Sequence, residues 1–255
     1  MRVIILSAGK GERLLPVTQN RPKSLIDLGG GQTILDRQLQ AISKSGVRDV
    51  TIVCGYLANQ LEEQAEVLGQ RVGLHVNTQY NPFYWCSNNL ISLWFAKRWI
   101  EEGDGVVIVN GDDLFRPRVL ISLLDVEDDH EIAVVVSRKE KYDGEDMKVV
   151  FDADLIKKIS KTIPVDGADG ESIGMIRVVG KETCQRVAGQ LELMARQEKC
   201  RDLFWLECFN ELIDQGDCVY PHEVANADWV EMDVHPDLSM ISRQIQSSVS
   251  GIEGD

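Results

Sequence analysis

In MRVIILSAGKGERLLPVTQNRPKSL, which opens the chain, Lys10, Arg13, Arg21 and Lys23 crowd around Ala8, Gly9 and Gly11 just behind an apolar run. With Arg2 they face only Glu12, so residues 1–25 carry +4, whereas 27 Lys and Arg against 41 Asp and Glu give the whole chain −14. An anion drawn to this segment is drawn locally, against the field of the remainder. Bare backbone beside cations suits phosphate. Glycine lets the main chain approach phosphate oxygens without a Cβ, an arginine fork clamps two oxygens at once, and a lysine reaches in as a mobile point charge. Carboxylates recur where two other apolar runs stop, in VVIVNGDDLF and DWVEMDVHPDL, and carboxylates at strand ends are what a hard divalent cation needs.

The surrounding pattern must bring these pieces together. Short apolar runs (RVIILSAG, DVTIVCG, VGLHVNT, GVVIVNGD) alternate with stretches of helical spacing (TILDRQLQAISKSG, LANQLEEQAEVLG, NNLISLWFAKRWI). That rhythm predicts right-handed crossovers building a mostly parallel sheet with helices on both faces, an α/β architecture whose strand ends open into one crevice. After Asp113 the segments EIAVVVSRK, MKVVFD, IKKISKT and SIGMIRVV come closely spaced, which predicts antiparallel strands added at the sheet edge. Helices are expected over KETCQRVAGQLELMARQEK and LFWLECFNELIDQG, strands near VYPHEV and DWVEMDV, and a last helix from about Asp237. No linker or repeat interrupts 1–255, so one domain is expected, with a flexible tail over about 247–255.

Composition excludes several classes. The chain is 44% hydrophobic and 27% charged, and no apolar run approaches the roughly 20 residues that span a bilayer; no signal peptide is legible, so a cytoplasmic protein is expected. Six cysteines form no CxxC pair and four histidines no HxxH, which favours reduced structural thiols over zinc ligands or disulfides. A pI near 4.8 without a basic stripe speaks against nucleic acid.

Two familiar phosphate loops fail: Gly9 to Leu14 lacks the third glycine of GxGxxG, and Lys23-Ser24 has no GxxxxG ahead of it. SAGKGERLLPVTQNRPKSL instead closely resembles the signature (L/A)AGxGxRLxPxTxxxPKxL of the nucleotidyltransferases that join a nucleoside triphosphate to a phosphorylated small molecule, with Ser7 where alanine is commoner. The resemblance implies a Rossmann-like nucleotidyltransferase fold and a loop, including Ala8, Gly9 and Gly11, that wraps the triphosphate. Arg13 is then expected on the outer phosphates and Lys23 at the α-phosphate. Such a reaction needs no nucleophile from the protein, because the acceptor oxygen is already an anion; charge repulsion is the obstacle, and Mg²⁺ held by carboxylates is the usual remedy. By the same resemblance, Asp112 after the central strand and Asp233 in the late "E-hydrophobic-D" strand are the expected metal ligands, with Asp113 either a solvated loop carboxylate or a helper.

For the acceptor's phosphate, Lys161 in KKISKTIP is slightly favoured over Lys148 in GEDMKVVF, since the family usually places a second lysine in this region. NTQYNPFYWCSNNLISLWFAK, with DDLF, EDMKV, ESIGM and WVEMD, resembles the branch that uses CTP with phosphocholine, 2-aminoethylphosphonate, inositol phosphate or related acceptors. Gln79, Ser87 and Asn88 offer the groups that read a pyrimidine edge, although Asn88 and Asn89 equally suit the cap of the following helix. Tyr84, Trp85, Phe204, Trp205 and Trp229 permit an aromatic cage for a quaternary amine, or serve as core or as the interface of a homodimer, and Glu171 could meet an ammonium. The alternatives are a hexose-1-phosphate uridylyl- or thymidylyltransferase, a glycosyltransferase of similar fold, which would not need the opening signature, and a non-catalytic nucleotide-sensing relative, which would be expected to have lost Arg13, Lys23 or the aspartates.

Overall fold

A computed structural model describes residues 1–127 and 129–232. Asp233, the helix expected from Asp237 and the tail expected over 247–255 lie outside the described residues. Parallel strands β1 (Arg2–Ser7), β2 (Asp49–Cys54), β3 (His75–Tyr80) and β4 (Gly105–Asn110) form four strands of a nine-stranded sheet, with β1 between β2 and β4 and β3 at the edge. Along β1, Ile4 and Leu6 pack into one core and Val3 and Ile5 into the other, so the all-apolar run is what a strand buried on both faces requires. One face is covered by α1 (Ile34–Lys44), α2 (Ala58–Val72) and α5 (Pro117–Leu124). The other is covered by α3 (Asn89–Phe95), α4 (Lys97–Glu101), α6 (Lys181–Ala195) and α7 (Glu207–Asp214). Thr33 and Asp36 close a reciprocal capping box at the start of α1, which contributes about 1 kcal/mol.

Two expectations are corrected here. Strand β9 (Gly170–Val179) is not an edge addition: it runs antiparallel between β4 and β6 (Ile132–Ser137), and β10 (Tyr220–Val224) lies parallel to β6 at the far edge. Only the hairpin of β7 (Lys148–Asp152) and β8 (Leu155–Ser160) is peripheral, pairing with β9 at Glu171 and Gly170. The helix expected over NNLISLWFAKRWI is two helices, because Ala96 leaves the helical region at φ −90°, ψ 1°. A separate two-stranded ribbon was not foreseen. It pairs β5 (Asp113–Phe115) with β11 (Trp229–Glu231), setting Glu231 opposite Asp113, and the Met232 N–H donates to the Asp112 carbonyl at 3.0 Å. Among the described residues no helix is long and apolar enough to cross a membrane, and the six cysteines are free thiols.

Candidate active site

The carboxyl ends of β1 and β4 open into a cleft of about 580 Å³, lined by residues 6–14 and Lys23, and also by Glu145 to Met147, Lys161 and Glu171 to Gly174. Of the five cations near the start, Lys10, Arg13 and Lys23 reach this cleft; Arg2 instead pairs with Asp49. The opening loop is tight. Gly11 has φ +64°, and a Cβ there would sit 3.0 Å from Thr18 Cγ2 and 3.2 Å from Lys23 Cβ, so only glycine lets the two ends of the loop close on each other. The Thr18 hydroxyl fastens that closure by donating to the Gly11 carbonyl at 2.8 Å. Gly9 has nothing within 4 Å of where its Cβ would be, which leaves its backbone open to a ligand.

Lys23 Nζ lies 2.8 Å from Asp112 Oδ2, which ties the basic loop to the carboxylates after β4. Asp112, Asp113 and Glu231 present carboxylate oxygens within 4.8 Å of one another. Asp113 is not a solvated loop residue: it is 1% exposed, and Asn110 hydrogen-bonds its carboxyl, yet Oδ2 has no hydrogen-bond partner. Burial first, then the Asp112 and Glu231 charges, hold the Asp113 carboxyl well above the usual carboxylate range. Three converging carboxylates with one buried, unpartnered oxygen fit a hard, oxygen-preferring divalent cation. Glu231 was missed as a site residue; its only sequence signal was its place in WVEMD, beside Asp233.

The two candidate lysines separate. Lys161 lies on the cleft wall, its Nζ 3.3 Å from Glu145 Oε2 and 5.3 Å from the Phe204 ring centre. Lys148 is absent from that wall. It is 1% exposed, and its ammonium donates to the Asp143 and Asp146 carbonyls at 2.9 and 3.1 Å, so it braces the 143–146 turn from below. Glu171 is buried and meets Lys139 at 2.8 Å, while Lys139 also meets Asp146 at 2.8 Å. Burial raises the Glu171 pKa despite that pairing. Burial also opposes the Lys139 charge, but hydrogen bonds to Asp146 and Glu171 outweigh it and raise the lysine's pKa.

Among the base-reading candidates, Gln79 is not on the cleft. It lies in β3, where its carbonyl accepts from the Cys54 thiol. The chain turns after it because Asn81 accepts from the Phe83 N–H at 2.8 Å and donates to Ser92 Oγ at 3.1 Å, so only the segment from Tyr84 onward reaches the site. Tyr84, Trp85, Ser87 and Asn88 all line the cleft. The Ser87 hydroxyl donates to the Phe83 carbonyl, and Asn88 Oδ1 accepts from the Asn89 N–H at 2.7 Å as the cap of α3. Asn89 Oδ1 accepts from the Trp205 N–H, and the Trp205 indole N–H donates to Asn110 Oδ1 at 2.9 Å, joining this wall to the end of β4.

Residues 2–145 match the family profile described as Nucleotidyl transferase, which spans more than half of the chain. The chain belongs to the nucleotidyl transferase family. This nucleotidyltransferase is 25% identical over 236 residues to the choline-phosphate cytidylyltransferase of Streptococcus pneumoniae, covering 91% of this chain and 93% of that protein. It is 26% identical over 229 residues to the 2-aminoethylphosphonate cytidylyltransferase of Lancefieldella rimae, covering 86% and 84%. Its fold matches the inositol-1-phosphate CTP transferase of T. maritima with a TM-score of 0.75 at 23% identity, over 99% of this chain and 96% of that one. The expected Rossmann-like fold and nucleotidyltransferase activity therefore stand.

Proposed function

We propose that this nucleotidyltransferase moves CMP from CTP to a small acceptor bearing a phosphate or phosphonate, releasing pyrophosphate, with Mg²⁺ at Asp112, Asp113 and Glu231; Asp233 is proposed as a further ligand on resemblance alone. The observation that carries the reading is that the glycine loop, Arg13, Lys23, three carboxylates and Lys161 all line one and the same cleft. The choice of CTP is supported by likeness over nearly the whole chain to two enzymes named for cytidylyl transfer.

The acceptor oxygen attacks the α-phosphorus, the bond to the bridging oxygen of the β-phosphate breaks, and that oxygen leaves with pyrophosphate. Lys161 holds the acceptor's phosphate and keeps its oxygen facing the nucleotide. Ala8 to Gly11 offer main-chain groups to the triphosphate, and Arg13 grips its outer phosphates. Lys23, already directed at the carboxylates, donates to the α-phosphate oxygens as charge builds on them. Bound Mg²⁺ would screen the attacking and departing phosphates from each other. Tyr84, Trp85 and Phe204 offer apolar faces on the cleft, which suits an acceptor with a cationic end; the Glu171 carboxyl lines the same cleft but is already met by Lys139. Free thiols suit a reducing, cytoplasmic setting.

Pyrophosphate release measured with CTP, UTP, dTTP and ATP against phosphocholine, 2-aminoethylphosphonate, inositol phosphate and sugar 1-phosphates tests this. CTP should give the fastest turnover. A faster reaction with UTP, dTTP or ATP would replace the reading with that of a hexose-1-phosphate enzyme.

A further inference from the structure

Glu145 stands at the tip of a turn braced from several directions. Asp143 accepts from the Glu145 and Asp146 N–H groups, Asp146 accepts from the Asp143 N–H at 2.7 Å, and Lys139 and Lys148 hold the same turn. The tip is fixed in place, yet the Glu145 side chain is 71% exposed, so moving it sacrifices almost no packing. One oxygen, Oε2, lies 3.2 Å from Arg13 NH2 and 3.3 Å from Lys161 Nζ. A single anionic oxygen between a guanidinium and an ammonium has the surroundings of a non-bridging phosphate oxygen.

We propose that Glu145 is an internal stand-in for substrate phosphate: it occupies the two cations that nucleotide and acceptor each require, and each substrate, by displacing it, eases the entry of the other. This rests on the roles assigned above to Arg13 and Lys161. A triphosphate arriving at Arg13 removes one of the carboxylate's attractions and adds repulsion between like charges. The hold on Lys161 then weakens, and the acceptor's phosphate meets a freer ammonium. The coupling is reciprocal, so acceptor tightens nucleotide to the same degree. The braced turn keeps Glu145 close enough to return when both products leave, which favours their release.

The test is calorimetric binding of inorganic tripolyphosphate, then of CTP with and without saturating phosphocholine, to wild type, Glu145→Gln and Glu140→Gln. Glu140 is an exposed acid five residues earlier and controls for loss of net charge. Two exposed ion pairs of this kind correspond to about threefold to tenfold, so Glu145→Gln should bind tripolyphosphate tighter by that factor and Glu140→Gln should match wild type. Phosphocholine should tighten CTP for wild type and have less effect in Glu145→Gln. Equal or weaker tripolyphosphate binding by Glu145→Gln, or the same gain in Glu140→Gln, overturns the proposal. A wild type that binds tripolyphosphate but prefers another nucleotide refutes the choice of CTP, and the tripolyphosphate comparison still decides the role of Glu145.

Discussion

Gly174 in β9 passes so close to the end of β4 that a methyl group there would overlap Asn110 Nδ2 and sit 2.7 Å from Asp113 Oδ2, on a backbone with φ +71°. In Gly174→Ala the left-handed backbone alone costs about 1–2 kcal/mol. The methyl must also push Asn110 away, which breaks its 2.9 Å hydrogen bond from the Trp205 indole and leaves that N–H without a partner, a further ~1–3 kcal/mol. The total is about 3 kcal/mol, which at roughly 2–4 °C per kcal/mol in a protein of this size lowers Tm by about 6–12 °C. Turnover should fall about a hundredfold even well below that Tm, because Asn110 and Asp113 are displaced together and a misplacement near 1 Å at a reacting centre has that effect. Gly167→Ala is the control: no atom lies within 4 Å of its Cβ position, so its Tm should stay within about 2 °C of wild type. Differential scanning fluorimetry and pyrophosphate release read both. A Gly174→Ala protein with wild-type Tm and turnover would show that the close approach of β9 positions nothing.

Lys23→Ala should lower kcat by about a hundredfold to a thousandfold while KM for CTP changes far less, because the lysine serves the charge that develops at the α-phosphate; steady-state kinetics with a raised KM and an intact kcat would make it a binding residue instead. Asp112→Asn should weaken Mg²⁺ binding and cut turnover by orders of magnitude, read by metal titration and activity, and near-normal activity would remove Asp112 from the site. Asp113→Asn should raise the Tm of the metal-free protein at neutral pH. The folded protein holds the Asp113 proton more tightly than the unfolded chain, so its contribution is fully present below the ordinary carboxylate pKa and is lost as pH rises toward the raised value. The gap between variant and wild type should therefore open with rising pH and close near pH 4, and thermal melts across that range that stay parallel would refute the assignment.

The parallel half of the sheet was legible because β1, β2 and β4 are apolar on both faces and α1 and α2 carry apolar residues at helical spacing. β5 was not, since a three-residue strand shows no period; β11 was expected near DWVEMDV, but its pairing with β5, far along the chain, was not. That short ribbon is what brings Glu231 to Asp113, which explains why the late acidic motif was visible while its geometry was hidden. The lysine pair turned on one irregularity: the β7–β8 register shifts between Val150 and Phe151, so alternation along the strands does not tell which lysine faces the cleft. Gln79 was grouped with Ser87 and Asn88 although Asn81-Pro82 between them is a turn signal; what the sequence hides is that this turn, held by the Asn81 side chain, keeps Gln79 in β3 and off the cleft.

Because β9 runs backwards through the sheet, its middle, at Gly174 and Met175, lies beside the end of β4, and its first residues continue past that end along the cleft. The wall they build is fed by residues 138–169, a stretch that leaves β6 and returns without passing through β1, β2 or α1. Glu145 to Met147 and Lys161 thus reach the cleft on a piece of chain separate from the glycine loop, while residues 84–89 and 204–206 complete the lining. A change of length or turn within residues 138–169 would reshape the wall that carries Lys161 and leave the strand order around β1 as it is.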